Sequence, residues 1–249
     1  MNLLHVTEHR PFPLPSAPWI MTQTWHHLLF AHWPVSAAYI KEFIPSPLTV
    51  DTLDGCAWIG IVPFDMSNIH LRGIPPIPGT SRFPEINVRT YVTHRGKPGV
   101  FFFSLDAAHL LAVIAARKVL SLPYYQARIH VQQTGDDVLY HSQRIHRPSY
   151  PASFQARYAP TSDTFYASPD SLEQWLTERY CLYTYDDRYL YRGDIHHLPW
   201  KLQHAHAEIT QNSMFSPLRF PLMSDQPLFH YAKKQKVLIW PFTRVATLS

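Results

Sequence analysis

Apolar and polar positions alternate over short distances along this chain, and prolines or glycines cut nearly every apolar run. Such spacing predicts many short strands in preference to long helices. Trp25 to Trp33 (WHHLLFAHW) is dense in aromatic and aliphatic side chains and predicts a buried strand ending at Pro34. Cys56 to Phe64 predicts a second apolar strand. Glu85 to Thr93 and Gly99 to Leu105 predict a hairpin around residues 94–98, and Tyr125 to Gln133 with Val138 to Ile145 predict another around residues 134–137. Further strands are expected over His204 to Thr210 and Lys236 to Phe242.

Helical spacing is confined to three places. Val35 to Ile44 carries Val35, Tyr39, Ile40, Phe43 and Ile44 on one face and stops at Pro45 and Pro47. Asp106 is the expected N-cap of a helix over Ala107 to Leu120, whose apolar residues cover most of its circumference and predict a core helix. Ser168 as cap and Pro169 in the first turn predict a third helix reaching about Arg179. Arg72 to Pro84 holds Pro75, Pro76, Pro78 and Pro84, so it is expected to be a stiffened loop of the kind that lines pockets.

Composition adds bounds to this pattern. With 46% hydrophobic and 14% aromatic residues, 249 residues can bury a sizeable core, and 23 prolines against 16% charged residues favour a β-rich body. No linker or repeat divides the chain, which predicts an extended, proline-rich arm over residues 1–18 and a single domain over residues 19–245. The formal charge of +4 is scattered. Its one compact run, Lys233-Lys234-Gln235-Lys236, reads as a solvated strand edge or turn, so no nucleic-acid partner is expected. The apolar run Leu105 to Leu122 is broken by Asp106, His109, Arg117 and Lys118, so no membrane span is expected. Cys56 and Cys181 lack any metal or disulfide spacing and read as free thiols of a cytoplasmic protein.

Two groups of residues carry candidate chemistry. Glu85, Asn87 and Arg89 alternate on one strand and therefore share a face. On pattern alone that face is solvent-exposed; turned inward, Glu85 would be a general-base candidate, and a Glu85–Arg89 pair would position a ligand or neutralise itself. Arg117 to Tyr125 (RKVLSLPYY) ends the apolar helix with a cation and restarts the chain with two phenols. Sixteen histidines invite a metal reading, with His204, His206 and Glu208 at period two. Strand alternation produces such triplets by chance, no HExxH is present, and neither metal nor cofactor is expected. No Gly-rich phosphate loop and no GxSxG elbow occurs, which removes nucleotide-binding and common hydrolase readings.

Several segments, taken in order, resemble the bacterial YqjF-like family of unknown function. They include Leu28-Leu29-Phe30-Ala31-His32-Trp33-Pro34, Ala57-Trp58-Ile59-Gly60, Phe83-Pro84-Glu85-x-Asn87-Val88-Arg89-Thr90-Tyr91-Val92, Phe103-Ser104-Leu105-Asp106, Leu122-Pro123-Tyr124-Tyr125 and His197-x-Pro199-Trp200. The resemblance covers about residues 19 to 242. That family in turn resembles acetoacetate decarboxylase through Ile44-Pro45-Ser46-Pro47-Leu48-x-x-Asp51 and through the spacing from Arg117 to Pro123. The resemblance implies a mostly β (α+β) fold: a cone-shaped antiparallel β-barrel with surrounding strands, two or three helices and a small-molecule pocket inside. It also implies that Glu85, Asn87, Arg89, Arg117 and Tyr124 line that pocket. In the decarboxylase a lysine follows the proline and forms an imine; here Tyr124 and Tyr125 take the lysine positions, and a phenol forms no imine. Three readings stay open: a binding protein for a small oxygenated or acidic molecule, an enzyme in which Arg117 and Tyr124 stabilise an enolate while Glu85 moves a proton, and a structural remnant whose barrel is filled by aromatic side chains. Folds of this type often pair edge strands between subunits, which allows a homo-oligomer.

Overall fold

The computed structural model describes residues 3–216, 218 and 221–248. Among them, 13 strands form one continuous network. In chain order these are β1 (Met21–Val35), β2 (Thr49–Val50), β3 (Ala57–Leu71), β4 (Phe83–His94), β5 (Lys97–Ala107), β6 (Tyr124–Thr134), β7 (Asp137–Arg144), β8 (Ser153–Pro160), β9 (Cys181–Tyr185), β10 (Tyr189–His196), β11 (Gln203–Asn212), β12 (Leu228–Ile239) and β13 (Thr243–Thr247). Three α-helices join them, α1 (Ala37–Lys41), α2 (Leu110–Leu120) and α3 (Leu172–Thr177), and a 3-10 turn at Leu3–His5 lies in the N-terminal arm.

Pairing closes the network into a barrel. Nine strands, β5-β6-β7-β8-β11-β12-β1-β3-β4, return to β5 through the β4–β5 hairpin. On the other side of the same β12-β1-β3-β4-β5 wall, β9 and β10 close a second, smaller ring through β5–β9 and β10–β12 pairing. Closure is mixed where antiparallel closure was expected: α2 carries the chain back to start β6 parallel to β5, and β9 also runs parallel to β5. Because successive side chains of the shared wall point to opposite sides, each ring receives its own core. Leu29, Ala31, Ile59, Ile61, Ile86 and Val88 pack against Val138, Tyr140, Phe154 and Tyr158 in the large ring. Leu28, Phe30, Val62, Phe64 and Met66 pack with Trp200, Leu202 and Val113 on the other face.

Most expected elements are present, and the departures have identifiable causes. β1 continues through Pro34, because its pairing with β12 stops at His32 and leaves the proline nitrogen without a ladder to break on that side. The first helix is only Ala37–Lys41. Asp106 is not a helix cap: β5 runs on to Ala107, and fully buried Asp106 takes a two-pronged ion pair from Arg144 at 2.6 and 2.8 Å. His109 caps α2 instead, its ring accepting the Ala112 N–H at 3.2 Å. Nor is α2 a core helix; it lies across the small ring, buries Val113 and leaves Leu110, Leu111, Ile114 and Val119 exposed. The third helix begins late, at Leu172, because Ser171 caps it through the Gln174 N–H while Ser168 to Asp170 form the preceding turn. The lysine run lies in β12 where that strand pairs with β1 on one side only, a solvated edge as expected, with Lys233, Lys234 and Lys236 exposed and Gln235 buried. The N-terminal arm is docked: Arg10 is buried, donates to Ile195 O at 2.8 Å and lies 4.7 Å from the Tyr180 ring centre.

Candidate functional site

β4 sets the site. Its register with β3 places Glu85 beside Phe64, Asn87 beside Val62 and Arg89 beside Gly60, all on the small-ring side of the wall. The solvent-face reading of this strand therefore fails for Glu85 and Asn87, which are 3% and 4% exposed. At the start of β6, Tyr124 reaches the same point and donates its hydroxyl to Glu85 Oε2 at 2.7 Å. Burial pushes the Glu85 carboxyl up to about 7, against the opposing hydrogen bonds from Tyr124 and Asn87. Burial and the adjacent carboxylate push the Tyr124 phenol well above its ordinary value. On the far side of the wall, Tyr140 donates to the Glu85 carbonyl at 2.8 Å and holds the strand in place from behind.

Further along β4 the face becomes basic. The Arg89 guanidinium lies 5.3 Å from the Phe30 ring centre and 5.7 Å from that of Tyr91, and no ion pair joins it to Glu85 among the described residues. Four residues of extended strand separate the two groups by about 13 Å, too far for a direct pair. His32, opposite Gly60, bonds Tyr91 Oη through Nε2 at 2.6 Å. Gly60 is required there: a Cβ at that position would sit 2.8 Å from the His32 ring and 3.6 Å from Arg89 Cγ. Burial, then the Arg89 charge, holds the His32 imidazole well below its usual range, and burial lowers His230 to about 4.

This wall carries several buried polar atoms with no hydrogen-bond partner among the described residues, although His230 Nε2 lies 4.0 Å from Glu173 Oε1. Asn87 Oδ1, Arg89 Nε, His32 Nδ1, Trp200 Nε1 and both ring nitrogens of fully buried His230 are enclosed and unbonded. Buried polar groups are ordinarily satisfied, so such a group of atoms on one face of the wall is what a ligand or ordered water would engage.

Arg117 is placed differently from the other four. It is exposed in the last turn of α2, where Ser121 turns left-handed at φ 51°, and it donates to the Tyr124 carbonyl at 2.6 Å. Its charge thus holds the start of β6 from outside, while the Tyr124 ring points in. Tyr125 leaves on the opposite side of β6 from Tyr124 and stacks on the buried Arg144 guanidinium, 3.9 Å from its ring centre. His32, Tyr91, Trp200 and His230 were missed as site residues. The parity of His32 with Leu28 and Phe30 carried a signal, but which parity faces the small ring is set by pairing between strands far apart in sequence. His204, His206 and Glu208 share the exposed face of β11, and no cluster suited to a metal ion is present among the described residues. His197 is buried between the Leu198 and Arg179 carbonyls, at 2.8 and 3.3 Å.

The sequence profile of DUF2071, a family of uncharacterised conserved proteins, matches residues 22–236. The chain belongs to this family. Within it, the chain is similar to the uncharacterised protein YqjF of Bacillus subtilis (strain 168), at 48% identity over 237 residues that cover 95% of this chain and 97% of that protein. Solved structures share the fold at much lower identity. An acetoacetate decarboxylase-like enzyme from Sphingomonas wittichii RW1 matches with a TM-score of 0.61 and 12% identity, covering 96% of this chain and 98% of that one. The enduracididine biosynthesis enzyme MppR, complexed with pyruvate, matches at 0.61 and 10%, covering 95% and 93%. Acetoacetate decarboxylase from Legionella pneumophila matches at 0.59 and 12%, covering 97% and 94%. The DUF2071 chain therefore has the acetoacetate-decarboxylase-like fold. No helix among the described residues is long and apolar enough to cross a membrane.

Proposed function

We propose that the small ring binds a small oxygenated or acidic organic molecule, with Glu85, Asn87, Arg89 and Tyr124 around it and Arg117 holding Tyr124 in position. The observation that carries this reading is the set of unbonded buried polar atoms, Asn87 Oδ1, Arg89 Nε and His32 Nδ1, on the face that also presents Glu85. An oxygen-rich ligand satisfies both kinds of group: carboxylate or carbonyl oxygens accept from Arg89, and a hydroxyl donates to Asn87 Oδ1. The pyruvate complex of MppR makes short oxo acids the first compounds to try. Two free thiols, Cys56 and Cys181, support placement in the reducing cytoplasm.

The test is native mass spectrometry for a co-purified molecule, followed by thermal titration with pyruvate and its longer oxo- and hydroxy-acid homologues. A ligand at a hundred times its Kd stabilises the fold by about 2.7 kcal/mol, and Arg89→Met removes that gain. If no compound shifts the melting temperature and no bound mass is found, the reading fails.

Glu85 favours a second reading, catalysis without an imine. A carboxyl held at about 7 is matched to proton transfer at neutral pH. In this version Glu85 takes a proton α to a carbonyl, the electron pair passes to the carbonyl oxygen, and Tyr124 donates a hydrogen bond to the resulting enolate. None of the lysines is buried, which accords with chemistry that needs no Schiff base. Exchange of the pyruvate methyl protons in deuterated water, followed by NMR, reads this step directly. Glu85→Gln and Tyr124→Phe abolish it if the reading is right, and exchange at the background rate with the intact protein eliminates it.

A further inference from the structure

The wall shared by the two rings has a second chemical face. Asp65 alternates with Phe64 and Met66 along β3, so its side chain leaves on the side opposite the small-ring core, and Ser67 follows it. At the mouth of the large ring, His26, His27, Asp65, Ser67, Arg82 and His130 rim a cleft of about 680 Å³. Phe83, Ile129, Val131 and Val138 form its apolar floor. That volume lies in the range of small-molecule sites.

Consecutive residues of a regular strand face opposite ways, yet His26 and His27 both line this cleft. A bulge in β1 makes that possible: the register with β3 slips between His26 and Ala31, and His27 takes a left-handed φ of 52°. Such a conformation persists in a non-glycine residue only when its surroundings hold it. Here Tyr158 Oη donates to the His27 carbonyl at 2.8 Å, and His27 Nδ1 bonds Tyr231 Oη at 2.6 Å. Bulges fixed in this way re-aim side chains beside binding sites.

The rim keeps bonding capacity in reserve. Arg82 spends Nε and Nη2 on a single oxygen, Asp65 Oδ2, at 3.2 and 2.9 Å, which leaves its Nη1 available. His26 uses Nε2 on Ser67 Oγ at 2.8 Å, and no described hydrogen bond engages its Nδ1 or the Nε2 of His27. Asp65 is the strongest charge these rings feel, opposed by Lys233, Lys234 and Arg82, with Asp136 a weaker negative charge beside His27. Hydrogen-bond donors thus stand over an apolar floor, with Lys233 and Lys234 beyond the Arg82–Asp65 pair.

We propose that this cleft is a second binding site, for a small organic anion with an apolar body such as an aromatic or aliphatic carboxylate. Its carboxylate meets Arg82 Nη1 and the ring N–H groups of His26 and His27, and its body rests on Ile129, Val131 and Val138. The wall separates it from Glu85, so it stands or falls independently of the small-ring ligand.

Benzoate titrated calorimetrically into the full chain tests the proposal, with benzyl alcohol as the uncharged counterpart. Saturable benzoate binding is expected, weakened about tenfold by Arg82→Gln and by His27→Ala, weaker still for benzyl alcohol, and unchanged by Glu85→Gln. The Arg82 side chain is 75% exposed, so that variant folds even if the His27 substitution disturbs the bulge. Absence of benzoate binding at millimolar concentration overturns the proposal, as does equal affinity for benzyl alcohol. Binding lost in Glu85→Gln and kept in Arg82→Gln assigns the ligand to the small ring and overturns it equally.

Discussion

At the scale of single residues, Glu85 and Tyr124 dominate. A carboxyl whose folded pKa lies at about 7, above its ordinary 4.5, holds its proton more tightly in the folded state than in the unfolded state. Stability from this group is therefore fully present below about 4.5 and is lost as pH rises through about 7, a swing of about 3 kcal/mol. Urea denaturation of the intact protein and Glu85→Gln at pH 5 and pH 8 isolates it: the variant gains relative stability at the higher pH, and parallel profiles would count against a buried acid. The buried histidines work in the opposite sense, since the lowered pKa values of His196, His197 and His230 make protonation costly below their ordinary range. Tyr124→Phe removes a donor to a buried carboxylate. It should raise the Glu85 pKa further and cost about 1–2 kcal/mol, the first checked by infrared titration of the carboxyl band and the second by denaturation.

At the scale of elements, β4 was legible in the sequence, and α2 was legible as a helix but not in what it buries. Alternation from Glu85 to Thr93 defined a strand and put Glu85, Asn87 and Arg89 together, because strand geometry is local. In α2 the residues Leu110, Leu111, Ile114 and Val119 read as core, yet only Val113 is buried, since the helix rests on the small ring by one edge. Val113→Ala is expected to cost about 2 kcal/mol, while Leu111→Gln and Val119→Gln stay within about 0.5 kcal/mol. Equal losses at all three positions, measured by chemical denaturation, would mean that the helix is covered in solution. Asp106 shows the same limit: an acidic residue before an apolar run reads as a cap, and only the arrival of Arg144 from β7 makes it the centre of an ion pair.

At the scale of the whole molecule, that ion pair joins the shared wall to the outer strands. Asp106 is 0% and Arg144 5% exposed, so Asp106→Ala strands a buried guanidinium and should cost about 3–5 kcal/mol. Proteolysis would show the loss first between β6 and β8 if the outer strands detach as a unit, whereas an unchanged digestion pattern and melting temperature would refute the role. The sequence by itself determined a β-rich fold, its two hairpins, its family, and the alignment of Glu85, Asn87 and Arg89, because these depend on residues close together in the chain or on the ordered run of motifs. Only the tertiary structure decided that this face turns into the small ring, that Tyr124 meets Glu85 while Arg117 stays outside, and that His32 and His230 complete the wall. Those outcomes depend on which distant strands pair and in what register, and that information is carried by no single segment.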